Sequence, residues 1–390
     1  MKFDFDKVVD RHGTKCLKYD FAKERGRSDD MLPLWVADMD FPTAPGIQKS
    51  LSDAVAHGIY GYSEGKDDYF QAAAGWYEKH FGWKVEKEWL IKTPGVVFAL
   101  AMAVKAYTKE GDAVLLQQPV YYPFSEVITD NHRRLINSPL QQIDGHYEIN
   151  FEEFEQKIVE ENVKLFLMCS PHNPVGRVWT SEELQRIGDI CLQNGVFIIA
   201  DEIHCELTYE GHNYTPFASL SEEFRLRSAT CISPSKAFNL AGLQIANIVA
   251  ADSNIRSRID RAINDNEVCD VNPFGVIATI AAYEKSEEWL DALRKYLWEN
   301  YTYVRYFFKR HLPQYSVLPL EGTYLVWIDC RAAGIGSDNI TSCLQNKQKL
   351  MVNSGTLYGP GGEGFIRLNI ACPRKLLIDG LVRLAKVLGH

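Results

Sequence analysis

The alternation of short apolar runs with longer helix-like stretches is the feature that most constrains the fold. Helix-like stretches begin near Phe151 and Ser181, and Ser181 followed by two glutamates is typical of a capped helix start. Buried parallel strands joined by crossover helices produce such an alternation, so it predicts an α/β fold with helices flanking a mostly parallel sheet. The apolar runs that we interpret as strands are residues 113–116, 165–168, 196–200 and 246–250.

Chain length predicts more than one folding unit. At 390 residues, of which 46% are hydrophobic, the chain exceeds an ordinary single core and is expected to form two domains. We assign residues 46–285 to a large domain and residues 286–390 to a smaller α/β domain. The N-terminal arm, residues 1–45, is expected to join the smaller domain. A long helix at 289–308 is expected to bridge the two domains.

Charge and cysteine content restrict the partners and the compartment. The net charge is −9 and no Lys/Arg-rich run occurs, which argues against a nucleic-acid partner. Nine cysteines without a C-x-x-C pair are typical of reduced thiols rather than of a disulfide framework or a metal site. The N-terminus lacks an apolar signal core, and no run reaches the roughly 18 apolar residues of a membrane span. We therefore predict a cytoplasmic protein without membrane contact.

A lysine and an aspartate indicate the chemistry. Asp201 directly follows the apolar run 196–200, and Lys236 follows it in a Ser-Pro-Ser-Lys segment. Ligands of open α/β sheets lie at the carboxyl ends of strands, so Asp201 is expected to point into the site. An amine can hold pyridoxal 5′-phosphate as a Schiff base, and a carboxylate can keep the pyridine nitrogen protonated, which makes the ring an electron sink. The pair predicts pyridoxal 5′-phosphate as the cofactor.

Nine segments in order carry a family resemblance. They include Tyr-Gly-Tyr at 60–62 and Asn-Pro-x-Gly at 173–176. Together they resemble the fold-type I pyridoxal-phosphate enzymes related to class I/II aminotransferases, and within them the carbon–sulfur lyase branch of the cystathionine β-lyases. The resemblance implies a large domain with a mostly parallel seven-stranded sheet, a smaller α/β domain and a homodimer. The segments are residues 5–13, 32–41, 60–62, 93–95, 118–123, 169–176, 201–204, 233–243 and 364–369.

The resemblance also assigns contacts to the cofactor ring. Asp201 would pair with the pyridine nitrogen, and Asn173 would donate a hydrogen bond to the phenolate oxygen. Tyr121 resembles the aromatic residue that stacks on the ring, and its neighbour Tyr122 is the competing candidate. Together with Lys236, Asp201 and Tyr121 form the predicted catalytic group.

The phosphate is expected at a helix start, where backbone N–H groups and the helix dipole favour an anion. Gly95 precedes a helix-like run, with the amides of Val96 and Val97 beside it. Ser233 and Ser235 are candidate hydroxyl donors, and we favour Ser233.

Tyr62 resembles the family tyrosine that reaches the phosphate of the neighbouring subunit, which would make the active site a property of the dimer. Tyr60 is the competing candidate. The same tyrosine and Asn173 are also expected to contact the substrate.

Arg367 resembles the arginine that clamps the α-carboxylate of an amino-acid substrate, for which a bidentate guanidinium is suited. Val36 and Ala37 belong to a segment that is expected to cover the pocket. Two positions depart from the common aminotransferase pattern: Gln244 stands where an arginine is frequent, and His204 stands where a tyrosine is frequent. His204 is expected to share the phenolate contact or only to pack.

The resemblance implies a pyridoxal-phosphate-dependent β-lyase. The freed Lys236 would remove the Cα proton, and a thiolate at Cβ would leave, so that L-cystathionine or a related cysteine S-conjugate yields a thiol, pyruvate and ammonia. Gln244 and the 32–41 segment favour the lyase branch. The alternatives are an aminotransferase and a pyridoxal-phosphate-binding regulatory protein that acts through a partner.

Overall fold

A computed structural model describes residues 3–28, 30–268 and 270–389. Its central sheet has seven strands in the spatial order β1-β7-β6-β5-β4-β2-β3. In chain order the strands are β1 Leu90–Thr93, β2 Ala113–Leu116, β3 Arg134–Asn137, β4 Val163–Cys169, β5 Phe197–Asp201, β6 Ser228–Ile232 and β7 Ala246–Val249.

The strand directions confirm a mostly parallel sheet, but one strand runs opposite to the direction expected from the sequence. The five strands β3, β2, β4, β5 and β6 run parallel to one another, whereas β7 is antiparallel to both β1 and β6. The interpretation of the 246–250 run as a parallel strand was therefore wrong. A parallel connection usually crosses one face of the sheet as an α-helix, whereas residues 233–245 between β6 and β7 form turns and the three-residue 3-10 helix Ala241–Leu243, so the chain returns in the opposite direction.

Side chains on alternate positions of the strands enter separate cores. In β4, Leu165 and Leu167 pack against one layer of helices, and Phe166 and Met168 pack against the layer on the opposite face. This explains the continuous apolar runs, because both faces of the sheet are covered. The helices are α1 Pro45–His57, α2 Asp67–Phe81, α3 Val96–Tyr107, α4 Pro123–Thr129, α5 Phe151–Glu160, α6 Ser181–Gln193, α7 Glu222–Leu226, α8 Ser253–Asn264, α9 Pro273–Lys285, α10 Glu287–His311, α11 Ser337–Gln348 and α12 Arg374–Leu388.

The start of α6 differs by one residue from the sequence expectation. Thr180, rather than Ser181, is the N-cap: its hydroxyl accepts from the Glu183 amide at 3.1 Å, and the Glu183 carboxylate accepts from the Thr180 amide at 2.8 Å. This reciprocal pair is a capping box, which satisfies two N–H groups that the helix itself leaves free. Ser181 is the first helical residue.

A second sheet lies in the C-terminal part of the chain. Its four strands are antiparallel in the spatial order β8-β9-β11-β10. The 25-residue helix α10 precedes this sheet in the chain and includes residues 289–308, where one long helix was expected. The domain division at residue 285 stays a prediction. The strands are β8 Ser316–Val317, β9 Leu325–Asp329, β10 Asn353–Ser354 and β11 Phe365–Asn369.

Within the described residues, eight cysteines are free thiols. Over the same ranges, none of the helices has the length and apolar character that crossing a bilayer requires.

Candidate active site

Ten of the predicted residues line one cavity of about 400 Å³, where β4 and β5 end. A second cavity of about 770 Å³ shares Ala37, Tyr121 and Lys236 with the first and extends to Val36 and Arg367. Of the predicted residues, Ser233 and Tyr62 line neither cavity. The ten residues are Ala37, Gly95, Val96, Val97, Tyr121, Asn173, Asp201, His204, Ser235 and Lys236.

The amine of Lys236 lies at the junction of the two cavities. Its Nζ donates to the backbone carbonyl of Ala37 at 2.8 Å. Burial lowers the pKa of Lys236 to about 8, and the positive charge of Arg367 contributes to the same shift, whereas Asp38 and Asp201 oppose it. A lysine with this pKa carries an appreciable neutral fraction near neutral pH, which a nucleophile or a general base requires.

Asp201 is buried at the last position of β5. The backbone amide of Ile203 donates to its Oδ1 at 3.1 Å, and burial raises the pKa of Asp201 to about 7. No lysine, arginine or histidine within the described ranges forms an ion pair with this carboxylate. A buried carboxylate of this kind favours a positively charged partner, and a protonated pyridine nitrogen would supply one.

Helix α3 supplies the predicted phosphate donors. No side chain caps its first turn in the described structure, so the N–H groups of Val96 and Val97 are available at the positive end of the helix dipole. A Cβ added to Gly95 would meet no atom within 4 Å, so the backbone here borders open space. This combination is suited to an anion.

Of the two candidate serines, Ser235 lines the cavity. The hydroxyl of Ser233 is buried, donates to the carbonyl of Ile245 at 2.6 Å and accepts from the amide of Ser235. The geometry therefore favours Ser235 over Ser233, the reverse of the sequence preference. The reason is the return of the chain into β7, which brings the Ile245 carbonyl to the Ser233 hydroxyl.

Arg367 occupies the opposite end of the site. Its Nη1 donates to Asn173 Oδ1 at 3.1 Å, and its Nη2 donates to the carbonyl of Trp35 at 2.8 Å. Its Nε is buried and has no hydrogen-bond partner among the described residues. An unsatisfied guanidinium N–H is costly when buried, and a substrate carboxylate would satisfy it.

His204 is buried beside the lysine, and in the part of the chain that the structure describes its Nδ1 has no hydrogen-bond partner. Burial, together with the nearby positive charges of Lys236 and Arg367, lowers its pKa well below the ordinary value. The ring is therefore neutral near pH 7, and it offers a hydrogen-bonding nitrogen to a ligand.

The tyrosines predicted to contact the cofactor differ in whether they line the cavities. Tyr121 lines both cavities, and its neighbour Tyr122 contacts it edge-on with the ring centroids 5.2 Å apart. Tyr62 is fully exposed at 101% of its reference area, so it has no contact with the site of its own chain that would bury it. Tyr60 is also exposed, and its hydroxyl donates to Val55.

Three further residues hold the 35–38 segment over the pocket, and sequence reasoning missed their role. Asn369 Nδ2 donates to the carbonyls of Val36 at 2.5 Å and Asp38 at 2.7 Å. The other two donors are Asn353, which bonds to Trp35, and Tyr324, which bonds to Ala37. A weak signal existed, because Arg367 and Asn369 alternate on β11 and therefore share one face.

The side chains of the two cavities fit pyridoxal 5′-phosphate as a set. One end offers free helix N–H groups for a phosphate, Asp201 offers a buried carboxylate for the pyridine nitrogen, and Lys236 offers an amine of lowered pKa. An unsatisfied arginine lies beyond the lysine for a carboxylate.

Comparison with known proteins identifies the class. The family described as aminotransferase class I and II matches residues 29–383, so the chain belongs to this family. It is 42% identical over 386 residues to cystathionine β-lyase PatB of Bacillus subtilis (strain 168), covering 99% of this chain and 100% of that protein. It is 34% identical over 385 residues to protein MalY of Escherichia coli (strain K12), covering 98% of each.

Among solved structures, cystalysin from Treponema denticola, which contains pyridoxal 5′-phosphate, superimposes with a TM-score of 0.96 at 34% identity, covering 100% of this chain and 99% of that one. These similarities confirm the predicted family and its lyase branch, the fold-type I architecture and the pyridoxal 5′-phosphate cofactor.

Proposed function

We propose that the protein is a pyridoxal-phosphate-dependent carbon–sulfur β-lyase that converts L-cystathionine or a related cysteine S-conjugate to a thiol, pyruvate and ammonia. The observation that carries this proposal is the placement of the lowered-pKa amine of Lys236 in one cavity with the buried carboxylate of Asp201. The 42% identity to a cystathionine β-lyase over almost the whole chain supports the reaction class.

Arg367 and the residues around it would orient the substrate. Arg367 would bind the α-carboxylate, because its Nε is unsatisfied and Asn173 and the Trp35 carbonyl fix the guanidinium. Val36 and Ala37 would border the substrate side chain, since both line the larger cavity. The Cα proton would then be held towards Lys236, which lines the same cavity.

Pyridoxal 5′-phosphate, when bound to Lys236, supplies the electron sink that stabilises negative charge at Cα. Once the Lys236 amine is free, it would remove the Cα proton as a general base. The Cβ–S bond then breaks, and the sulfur leaves with the bonding pair as a thiolate. Water converts the three-carbon remainder to pyruvate and ammonia. The buried Asp201 carboxylate would hold the proton on the pyridine nitrogen and so preserve the electron sink.

The active site is proposed to be shared between two subunits. Tyr62 is fully exposed, and Ile59 and Tyr60 beside it expose apolar surface. Val97, on the first turn of the phosphate-binding helix, is also exposed. These exposed apolar residues, on the Tyr62 segment and on the first turn of α3, support a dimer in which Tyr62 reaches the phosphate of the other subunit. A reducing, cytoplasmic location is proposed from the free thiols.

L-Cystathionine without added keto acid tests the reaction class. A β-lyase should release pyruvate, ammonia and homocysteine in equal amounts over many turnovers, because elimination returns the cofactor unchanged. An aminotransferase would stop after about one turnover per site and would restart only when a keto acid is added. A single burst that a keto acid rescues would therefore replace the lyase proposal with the aminotransferase alternative.

A further inference from the structure

The carbonyl of Ala37 accepts two hydrogen bonds from two different parts of the chain. Lys236 Nζ donates to it at 2.8 Å, and the Tyr324 hydroxyl donates to it at 3.0 Å. Tyr324 is only 1% exposed and lies directly before β9. The tyrosine and the lysine therefore share one acceptor inside the site.

Tyr324 is one of several residues that fix the position of this carbonyl. Asn369 holds the carbonyls on both sides of it, at Val36 and Asp38, and Arg367 holds the carbonyl of Trp35. Loss of the tyrosine hydroxyl would thus leave the Ala37 carbonyl in place and leave Lys236 as its remaining side-chain donor in the described structure.

The backbone before Tyr324 is strained. Thr323 has a φ of 70°, in the left-handed region that a β-branched residue rarely adopts. Hydrogen bonds hold Thr323 in this conformation. Its amide donates to the carbonyl of Leu207 at 2.7 Å, and its hydroxyl accepts from the amide of Leu325 at 3.1 Å. Strain held in this way is frequent where a neighbouring side chain has a functional orientation.

We propose that Tyr324 is a positioning residue that shares the Ala37 carbonyl with Lys236 and thereby keeps the lysine amine available as the base. Two donors on one oxygen weaken each other, so the hydroxyl reduces the preference of the carbonyl for the ammonium form of Lys236. This inference rests on the proposed role of Lys236. The other groups that face the lysine, Arg367, Asp38, Asp201 and His204, stay in place when only the hydroxyl is removed.

Tyr324→Phe tests the proposal in the full chain freed of cofactor. Acetic anhydride acylates only the neutral amine, so the labelling of Lys236 across pH, measured by mass spectrometry against exposed lysines, gives its apparent pKa. The pKa should rise by about 0.5 to 1 unit, because the carbonyl then bonds to the ammonium alone. An unchanged or lowered pKa would overturn the proposal.

Tyr209→Phe is the matched control. The Tyr209 hydroxyl is also buried and also donates to a backbone carbonyl, that of Thr323, at 2.7 Å. This variant loses the same kind of hydrogen bond close by but leaves the Ala37 carbonyl untouched. Its Lys236 pKa should match the wild-type value. A rise as large as in Tyr324→Phe would mean that general loosening, rather than the shared carbonyl, causes the shift.

The holoenzyme provides a second readout. In Tyr324→Phe, kcat at neutral pH should fall about 3- to 10-fold, in proportion to the smaller neutral fraction of Lys236, and it should recover at high pH, with KM little changed. A loss that persists at high pH would overturn the positioning role. Because the labelling needs no turnover, it decides the proposal even where wild-type enzyme fails to cleave cystathionine and the lyase function itself is wrong.

Discussion

Lys236 is proposed to have two roles: its amine binds the cofactor and later removes the Cα proton. Lys236→Ala should lower kcat by at least about 10³-fold and abolish the borohydride-reducible absorbance of the bound cofactor. Lys84→Ala is a suitable control, since the Lys84 side chain is 74% exposed and lies outside both cavities. Full activity of the Lys236 variant without an added amine would contradict the central assignment.

Asp201 should make the stability of the cofactor-free protein depend on pH. Burial raises its pKa from the ordinary 3.8 to about 7, so the folded chain binds this proton more tightly than the unfolded chain does. The contribution of Asp201 to stability therefore falls as pH rises from about 4 to 7. Asp201→Asn removes this loss and should increase the free energy of unfolding at pH 8, relative to wild type, by up to about 4 kcal/mol.

Urea unfolding of the cofactor-free Asp201→Asn and wild-type proteins at pH 4 and pH 8 measures this effect. The difference between the two proteins should be smallest at pH 4, where the folded wild type carries the proton and the unfolded wild type carries it in part. An equal difference at both pH values would mean that the buried carboxylate does not titrate as proposed.

The sequence was enough to identify site residues whose side-chain type and motif already indicate a role, such as Lys236, Asp201 and Arg367. Sequence reasoning missed Tyr324 and Asn369 as residues that hold the 35–38 segment, because their partners lie 287 and 333 positions away in the chain. A common tyrosine or asparagine carries no local pattern that distinguishes such a contact from an ordinary surface position. Only the packing of β9 and β11 against the N-terminal segment reveals it.

At the scale of elements, periodicity predicted where strands occur better than how they pair. The run at 113–116 coincides with β2, and the run at 165–168 lies inside β4. The run at 246–250 has the same apolar character, yet β7 is antiparallel, because strand direction depends on the connection and not on the composition of the strand.

The cap of α6 gives a prediction at this scale. Thr180→Ala removes one side of the capping box and should lower the free energy of unfolding by about 1 kcal/mol. Ser181→Ala is the matched control: this residue is the first of the helix, and its hydroxyl lies on the surface, 3.1 Å from the Thr215 hydroxyl. Urea unfolding of both variants should therefore show a loss for Thr180→Ala alone, and an equal loss in both would contradict the assigned cap.

At the scale of the whole molecule, the single chain contains nearly all of the predicted site and leaves Tyr62 outside it. The cavity already has its amine, carboxylate and helix N-terminus, whereas Tyr62 projects into solvent beside other exposed apolar residues. Sequence reasoning can name this tyrosine by resemblance, but which subunit it serves depends on assembly, which no local pattern specifies.

A mixed dimer decides which subunit Tyr62 serves. We expect a dimer of one Tyr62→Phe chain and one Lys236→Ala chain to retain about half of the wild-type activity, because a shared arrangement places both defects in one site and leaves the other intact. If Tyr62 served its own chain, the only site with a lysine would lack the hydroxyl, and activity would fall well below half. Differently tagged chains allow the mixed species to be purified.

The reverse arrangement supplies the control. This control is a dimer of one wild-type chain and one chain that carries both Tyr62→Phe and Lys236→Ala. It contains the same two substitutions, but both lie in one chain. With shared sites, the wild-type lysine now faces the phenylalanine that replaces Tyr62 in the double variant, so this dimer should be much less active than the first. With Tyr62 serving its own chain, the order of the two activities inverts, so comparing the two dimers tests the shared site without an absolute rate.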